Sequence, residues 1–96
     1  MKISDRIKAI CAAVTPGETI ADIGTDHAYV PLILYKNNVS PHVIMCDISA
    51  DSLSKAKKSF TDAEIDMPES SFRVGDGIDV IEKWEVDALI IAGLGG

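Results

Sequence analysis

Four short runs of strand character constrain this chain more than any other feature. They occupy residues 19–23, 43–46, 71–74 and 87–91, and glycine or aspartate follows each one directly or after a single residue. Runs this short, without sustained polar alternation, read as buried strands. Helical patterns separate them. Ile3, Ile7, Ile10 and Val14 recur at helical spacing behind Ser4, which predicts a helix over residues 4–14 that Pro16 and Gly17 end. A second helix is expected over residues 28–37. Pro31 must then lie in its first turn, where a missing N–H costs little. Ser49 caps a third helix that reaches about Phe60, with Asp51 suiting the positive end of the helix dipole. Residues 62–71 are polar, contain Pro68 and read as a loop, and residues 78–84 read as a brief helical turn.

Strands that alternate with helices imply a parallel sheet with helices on both faces, a three-layer α/β/α architecture. Right-handed crossovers bring all the carboxyl ends of the strands to one edge. Ligands of such sheets bind outside that edge. Four segments meet there: residues 22–28, 47–49, 75–77 and 92–96. Each is rich in glycine or aspartate, the ordinary residues of turns. Their convergence on a single edge is what favours a ligand site.

Composition narrows the ligand. The chain has 96 residues and carries nine Lys+Arg against fifteen Asp+Glu, a net charge of −6. Such a surface is poor for nucleic acid, because phosphate binding needs clustered cations. Lys55, Lys57 and Lys58 form the one basic cluster, read as the solvated face of a helix. Cys11 and Cys46 have neither CxxC nor metal-site spacing. They read as small buried hydrophobes in a reducing, cytoplasmic compartment, and no metal is expected. No apolar stretch approaches the ~20 residues of a membrane span. Asp5, Arg6 and Lys8 make the first ten residues unlike a signal peptide.

The first strand-to-helix turn separates cofactor types. A dinucleotide site wants G-x-G-x-x-G, so that backbone N–H groups can cradle a pyrophosphate. Here the turn reads Gly24-Thr25-Asp26-His27-Ala28, with Asp22 just ahead. Carboxylates in that position repel a pyrophosphate and attract a cation. S-adenosylmethionine, with a sulfonium and an ammonium group, fits better. Asp47 ends the second strand, where a carboxylate accepts hydrogen bonds from ribose hydroxyls. Asp76 ends the third strand, where a short acid can meet an adenine amino group, or simply form a turn with Gly75 and Gly77.

The string from Ile20 to Pro31, which includes Asp22-Ile23-Gly24-Thr25-Asp26-His27-Ala28-Tyr29, resembles the bacterial tRNA (adenine-22-N1)-methyltransferase family. Gly75-Asp76-Gly77 and Ala92-Gly93-Leu94-Gly95-Gly96 extend the resemblance over nearly the whole chain. It implies a Rossmann-like class I methyltransferase fold and S-adenosylmethionine as cofactor. It further implies that Asp22 and Gly24 meet the methionine part, with Asp26 and His27 in the same loop. Asp47 would hold the ribose, with Ile48 next to it also cofactor-binding, Asp76 and Gly77 the adenine, and Ala92 the region beside the methyl group. Asp26, Tyr29, Ala92 and Gly93 are the catalytic candidates. Tyr29 would orient the target base or else be a core aromatic, and Arg6 would touch RNA or be a plain surface residue. His42 reads as surface. The chain departs from the wider G-x-G-x-G pattern at Asp26 and Ala28, as the family string also does.

Methyl transfer to N1 of adenine needs no general base, since N1 already carries a lone pair. Alignment of the reactants then supplies most of the catalysis, an effect worth ~7–11 kcal/mol. Asp26 and the backbone of Ala92 and Gly93 would stabilise the cationic product ring. The target adenine must leave its structured context to reach the pocket. Three alternatives remain: a class I methyltransferase with another substrate, an NAD-binding Rossmann module, or a non-catalytic nucleotide-binding fragment.

Class I methyltransferases have seven-stranded sheets, and four strands are counted here. Residues 1–96 are therefore expected to be the N-terminal, cofactor-binding half of a larger domain, inactive alone. The remaining strands and any C-terminal RNA-binding region would lie outside it and supply most of the grip on tRNA. The fourth strand is apolar on both faces. Left at an edge it invites pairing with another chain, so a homodimer, or a partner through that edge, is expected.

Overall fold

The structure is a computed structural model, and it describes residues 5–24, 28–82 and 84–91. The described elements alternate as expected. Helix α1 (Asp5–Ala13) precedes strand β1 (Ile20–Ile23), helix α2 (Tyr29–Lys36), strand β2 (Val43–Asp47) and helix α3 (Ala50–Asp62). A 3-10 turn (Glu69–Ser71) leads into strand β3 (Phe72–Val74), and a second (Gly77–Val80) precedes strand β4 (Ala88–Ile90).

The sheet is wholly parallel in the order β3-β2-β1-β4. Its two faces are covered unequally. One face carries Ile20, Val43, Met45 and Ile90, packed under Leu32 and Leu34 of α2 and Leu53, Ala56 and Phe60 of α3. Ile7, Ile10, Cys11 and Val14, in and just after α1, join that layer. The opposite face carries Ala21, Ile23, Ile44 and Cys46 under Val80, Ile81 and Val86. All three α-helices thus share one face, and the third layer is a 3-10 turn with the segment after it. Strands buried on both faces do not alternate apolar with polar, which is why β1 and β2 read as apolar runs up to Asp47, with Asp22 the one polar residue before it.

Local chemistry explains the element ends. Ser49 caps α3 as expected, its Oγ accepting the Ser52 N–H at 3.3 Å. Helix α3 runs two residues past Phe60, to Asp62, and Lys58 pairs with Asp62 across its last turn. Pro31 is the third residue of α2, inside the first turn where its lack of an N–H is tolerated. Asn38 closes α2 in the left-handed region (φ 60), and the Val39 N–H returns to the Leu34 carbonyl at 2.9 Å. Thr19 falls just outside β1, where its N–H donates to Asp87 Oδ2 at 2.8 Å and its carbonyl accepts the Asp87 N–H at 2.8 Å. The turn expected over residues 78–84 is shorter, because it stops at Val80. The expected loop at residues 62–71 holds the first 3-10 turn.

Cys46 is buried as expected, whereas Cys11 is only half-buried. The outer position of β4 leaves Leu89 43% exposed and Ile91 53% exposed. Full burial on both faces, expected from its composition, is therefore reached only at Ile90.

Candidate functional site

Register fixes the candidate site. Ile23 lies opposite Cys46, and Asp47 lies opposite Val74, so β1, β2 and β3 end almost level. The chain leaving β1 is tied to β2 where the Gly24 N–H donates to the Cys46 carbonyl at 2.9 Å. The chain leaving β3 is tied to it where the Gly75 N–H donates to the Asp47 carbonyl at 2.9 Å. With neighbouring strands ~4.8 Å apart, the turns at Gly24 and Gly75 flank Asp47 at about 5 Å on either side. Asp22, Gly24, Asp47, Ile48 and Asp76 are therefore brought to one edge, where the one basic neighbour among the described residues of the three strands, Arg73, is turned to Glu85.

Asp47 is held in place by the start of α3. Its Oδ1 accepts the Ser49 N–H at 2.9 Å, an Asx turn that leaves Oδ2 out of that bond. Ile48, between them, is 75% exposed and presents an apolar surface at the edge. Asp22 is only 5% exposed and alternates with Ala21 and Ile23, so it shares the helical face of the sheet with Ile20. Burial pushes the neighbouring Cys46 thiol up to about 11; the Arg73 guanidinium opposes this, and the Asp22 and Glu85 carboxylates add to it.

Two glycines are explained by the edge itself. Gly24 takes φ 75, the left-handed region open to glycine at little cost. Gly75 is required by close packing: a β-carbon there would lie 1.9 Å from Val80 Cγ1. Asp76 follows on the exposed surface, and its carbonyl accepts the Asp79 N–H at 3.1 Å within the second 3-10 turn, which Gly77 begins. Ala28, the residue before α2, is fully buried yet also left-handed (φ 59), and its carbonyl accepts the Leu32 N–H at 3.0 Å. A left-handed alanine is a strained conformation of the kind that concentrates at functional edges.

The remaining candidates divide. Asp26, His27, Ala92 and Gly93 lie outside the described residues, as does the side chain of Arg6. Tyr29 opens α2, is 37% exposed, and faces a groove between α2 and α3 that also holds Lys36, Lys55 and Lys58. It is not a core aromatic. His42 is exposed as expected.

Sequence reasoning missed the support beneath Asp76. Arg73 donates from Nε to the Ser70 carbonyl at 2.8 Å and from Nη1 to the Val80 carbonyl at 2.9 Å. It also holds Glu85 through both guanidinium nitrogens. Two opposite charges twelve residues apart in β3 and the β4 approach gave the only hint. Nothing in their spacing says that the chain folds back there.

Residues 3–96 match the family model described as a methyltransferase domain. The chain belongs to the methyltransferase-domain family. This methyltransferase domain is 35% identical over 96 residues to the tRNA (adenine(22)-N(1))-methyltransferase of Bacillus subtilis, which covers 100% of the chain and 40% of that protein. The crystal structure of the B. subtilis tRNA methyltransferase TrmK matches with a TM-score of 0.81 at 34% identity, covering 96% of the chain and 39% of TrmK. TrmK of M. capricolum, solved with S-adenosyl-homocysteine, matches with a TM-score of 0.82 at 28% identity, covering 97% and 42%. The methyltransferase domain thus spans about 40% of the length of these relatives. Among its described residues no helix is long and apolar enough to cross a membrane.

Proposed function

We propose that residues 1–96 are the cofactor-binding part of a longer S-adenosylmethionine-dependent enzyme that methylates N1 of an adenine in tRNA. The observation that carries this reading is the end of β2. There the Asp47 carboxylate is fixed by the Ser49 N–H at 2.9 Å, beside an exposed Ile48 and between two glycine turns. A carboxylate with one oxygen outside its own turn suits the hydroxyls of a ribose. An exposed aliphatic side chain beside it suits one face of an adenine ring. The acidic edge suits a cationic ligand and repels a pyrophosphate. The likeness to the B. subtilis tRNA (adenine(22)-N(1))-methyltransferase supports adenine-22 as the target.

When bound, S-adenosylmethionine supplies a methyl group on a positively charged sulfur. The chain's own residues bind and orient. Asp47 and Ile48 hold the nucleoside, with Asp76 and Gly77 at its base. Asp22 and Gly24 would meet the methionine part, and Asp26 and His27, in the same loop of the sequence, are the further candidates for it. Asp26, Ala92 and Gly93 are the candidates for contact with the target adenine, whose N1 lone pair needs no base, and Tyr29 opens α2 beside the groove. Most of the rate then comes from alignment.

The test uses the full-length protein. Asp47→Ala should weaken S-adenosylmethionine binding by about tenfold or more, as loss of a charged hydrogen bond does. Calorimetry that shows unchanged affinity overturns the cofactor assignment. Transfer of a labelled methyl group from S-adenosylmethionine to tRNA, mapped to N1 of adenine, checks the substrate. Methylation of another substrate but not tRNA would favour a different class I methyltransferase. Thermal stabilisation by NAD rather than S-adenosylmethionine would favour a dinucleotide module. For the isolated chain we also propose pairing of two copies through β4, supported by exposed Leu89 and Ile91. A clean monomer by light scattering at high concentration counts against that pairing.

A further inference from the structure

An open groove of about 530 Å³ runs between α2 and α3, on the helical face of the sheet. Tyr29, Leu32 and Lys36 line one wall, at i, i+3 and i+7 of α2. Lys55, Lys58 and Asp62 line the other with the same spacing on α3. Such spacing puts each trio on one helix face. Three lysines against one carboxylate give the groove a positive balance in a chain whose net charge is −6. Lys58 meets Asp62 at 3.1 Å, but their side chains are 75% and 64% exposed, so water weakens the pair. Lys57 is engaged elsewhere, 2.9 Å from Glu69 and 5.6 Å from the centre of the Phe72 ring.

The groove is also placed usefully. Tyr29 stands at its upper end, where the chain enters α2 from the carboxyl edge of β1. From Tyr29 to Lys36 the wall is about 10 Å long, at 1.5 Å per helical residue.

We propose that this groove docks the sugar-phosphate backbone of the RNA substrate. Phosphates would lie on Lys36, Lys55 and Lys58, and an unpaired base or sugar on Tyr29, in a strand leading away from the target adenine. This rests on the reading of tRNA as the substrate. Lysines serve well as point-charge partners of phosphate. An aromatic side chain beside them gives an unpaired nucleotide a stacking surface, which an acidic peptide would not use. The acidic remainder of the surface repels RNA and so favours the groove.

The experiment compares full-length wild type with a Lys36→Ala, Lys55→Ala, Lys58→Ala triple variant. The probe is the tRNA transcript, titrated across a salt series. The variant should lose about tenfold or more in affinity, and its dependence of log affinity on log salt should be shallower by about 2–3. Its S-adenosylmethionine affinity and thermal midpoint should match wild type. Lys57→Ala should bind as wild type, and Asp62→Asn should bind severalfold more tightly because it unmasks Lys58. Wild-type affinity and salt slope in the triple variant overturn the groove, and methylation of tRNA by the wild type would leave the substrate reading intact. A wild type that neither binds nor methylates tRNA overturns both. Loss of polyglutamate binding with tRNA binding retained overturns RNA as the occupant and points to an acidic protein segment.

Discussion

Arg73 and Glu85 meet end to end, Nη1 on Oε1 at 2.6 Å and Nη2 on Oε2 at 2.5 Å. Through the same guanidinium, the Ser70 and Val80 carbonyls are joined to this pair. The contact therefore fastens the 3-10 turn after Asp76 to β3 and to the approach of β4.

The fork makes stability depend on acid. The Arg73 hydrogen bonds, followed by the Glu82 N–H, lower the Glu85 carboxyl from 4.5 to about 2. A folded-state value below the ordinary one means that the contribution is complete above about 4.5. It is lost as pH falls through about 2. A bidentate pair whose side chains are 22% and 28% exposed is partly screened by water and contributes about 1 kcal/mol. Glu85→Gln should lose that amount at pH 7 and show less loss on acidification than wild type. Urea midpoints measured at pH 7, 4 and 2.5 check this.

Gly75 should tolerate no side chain. A β-carbon would meet Val80 Cγ1 at 1.9 Å, so Gly75→Ala forces the turn or the valine to move. Overpacking of this kind costs about 1–3 kcal/mol. Adding Val80→Ala should restore part of the loss, and a double-mutant cycle from denaturant midpoints measures the coupling.

Cys46 should be chemically silent in the folded chain. Its thiol is buried and pushed up to about 11, so the reactive thiolate is scarce at pH 8. Alkylation of Cys46 should occur only as fast as the protein opens. Modification with a thiol reagent, followed by peptide mapping, should find Cys11 labelled first, since it is only half-buried.

Ser40 is fully buried, and its hydroxyl finds no hydrogen-bond partner among the described residues. A buried hydroxyl without a partner is destabilising, and removing it relieves the desolvation. Ser40→Ala should raise stability by about 1 kcal/mol, read as a higher urea midpoint. The Ser40 N–H bond to the Leu34 carbonyl at 3.2 Å is kept in the variant.

The strands were legible because burial on both faces leaves a mark in composition: Ile20-Ala21-Asp22-Ile23 and Val43-Ile44-Met45-Cys46 carry one polar residue between them. The α3 cap was legible because Ser49 acts on a neighbour three residues away. Asp47 and Ile48 were legible as an edge pair for the same reason, being fixed by the end of one strand. Long-range relations were not. The Arg73–Glu85 fork, the Val80 packing that requires a glycine at Gly75, and the shared groove of Tyr29 and Lys36 with α3 all depend on which surfaces meet. Periodicity along a single segment carries no record of that. The edge position of β4 was expected, but the exposure of Leu89 and Ile91 was not, since an apolar composition reads alike on a covered or an open face.

The strand order also predicts an order of assembly. Pairings β1–β2 and β2–β3 each close a single strand-helix-strand step, whereas the Thr19–Asp87 contact that seats β4 spans 68 residues. Closing so long a loop is entropically slow, and local pairings come first. Three strands can consolidate while the fourth is still unpaired, as on a chain emerging from the ribosome. Ile90→Val should then speed unfolding and leave the folding rate nearly unchanged, whereas Val43→Ala should slow folding. Stopped-flow chevrons of the two variants decide it, and a slowed folding limb for Ile90→Val would place β4 in the nucleus.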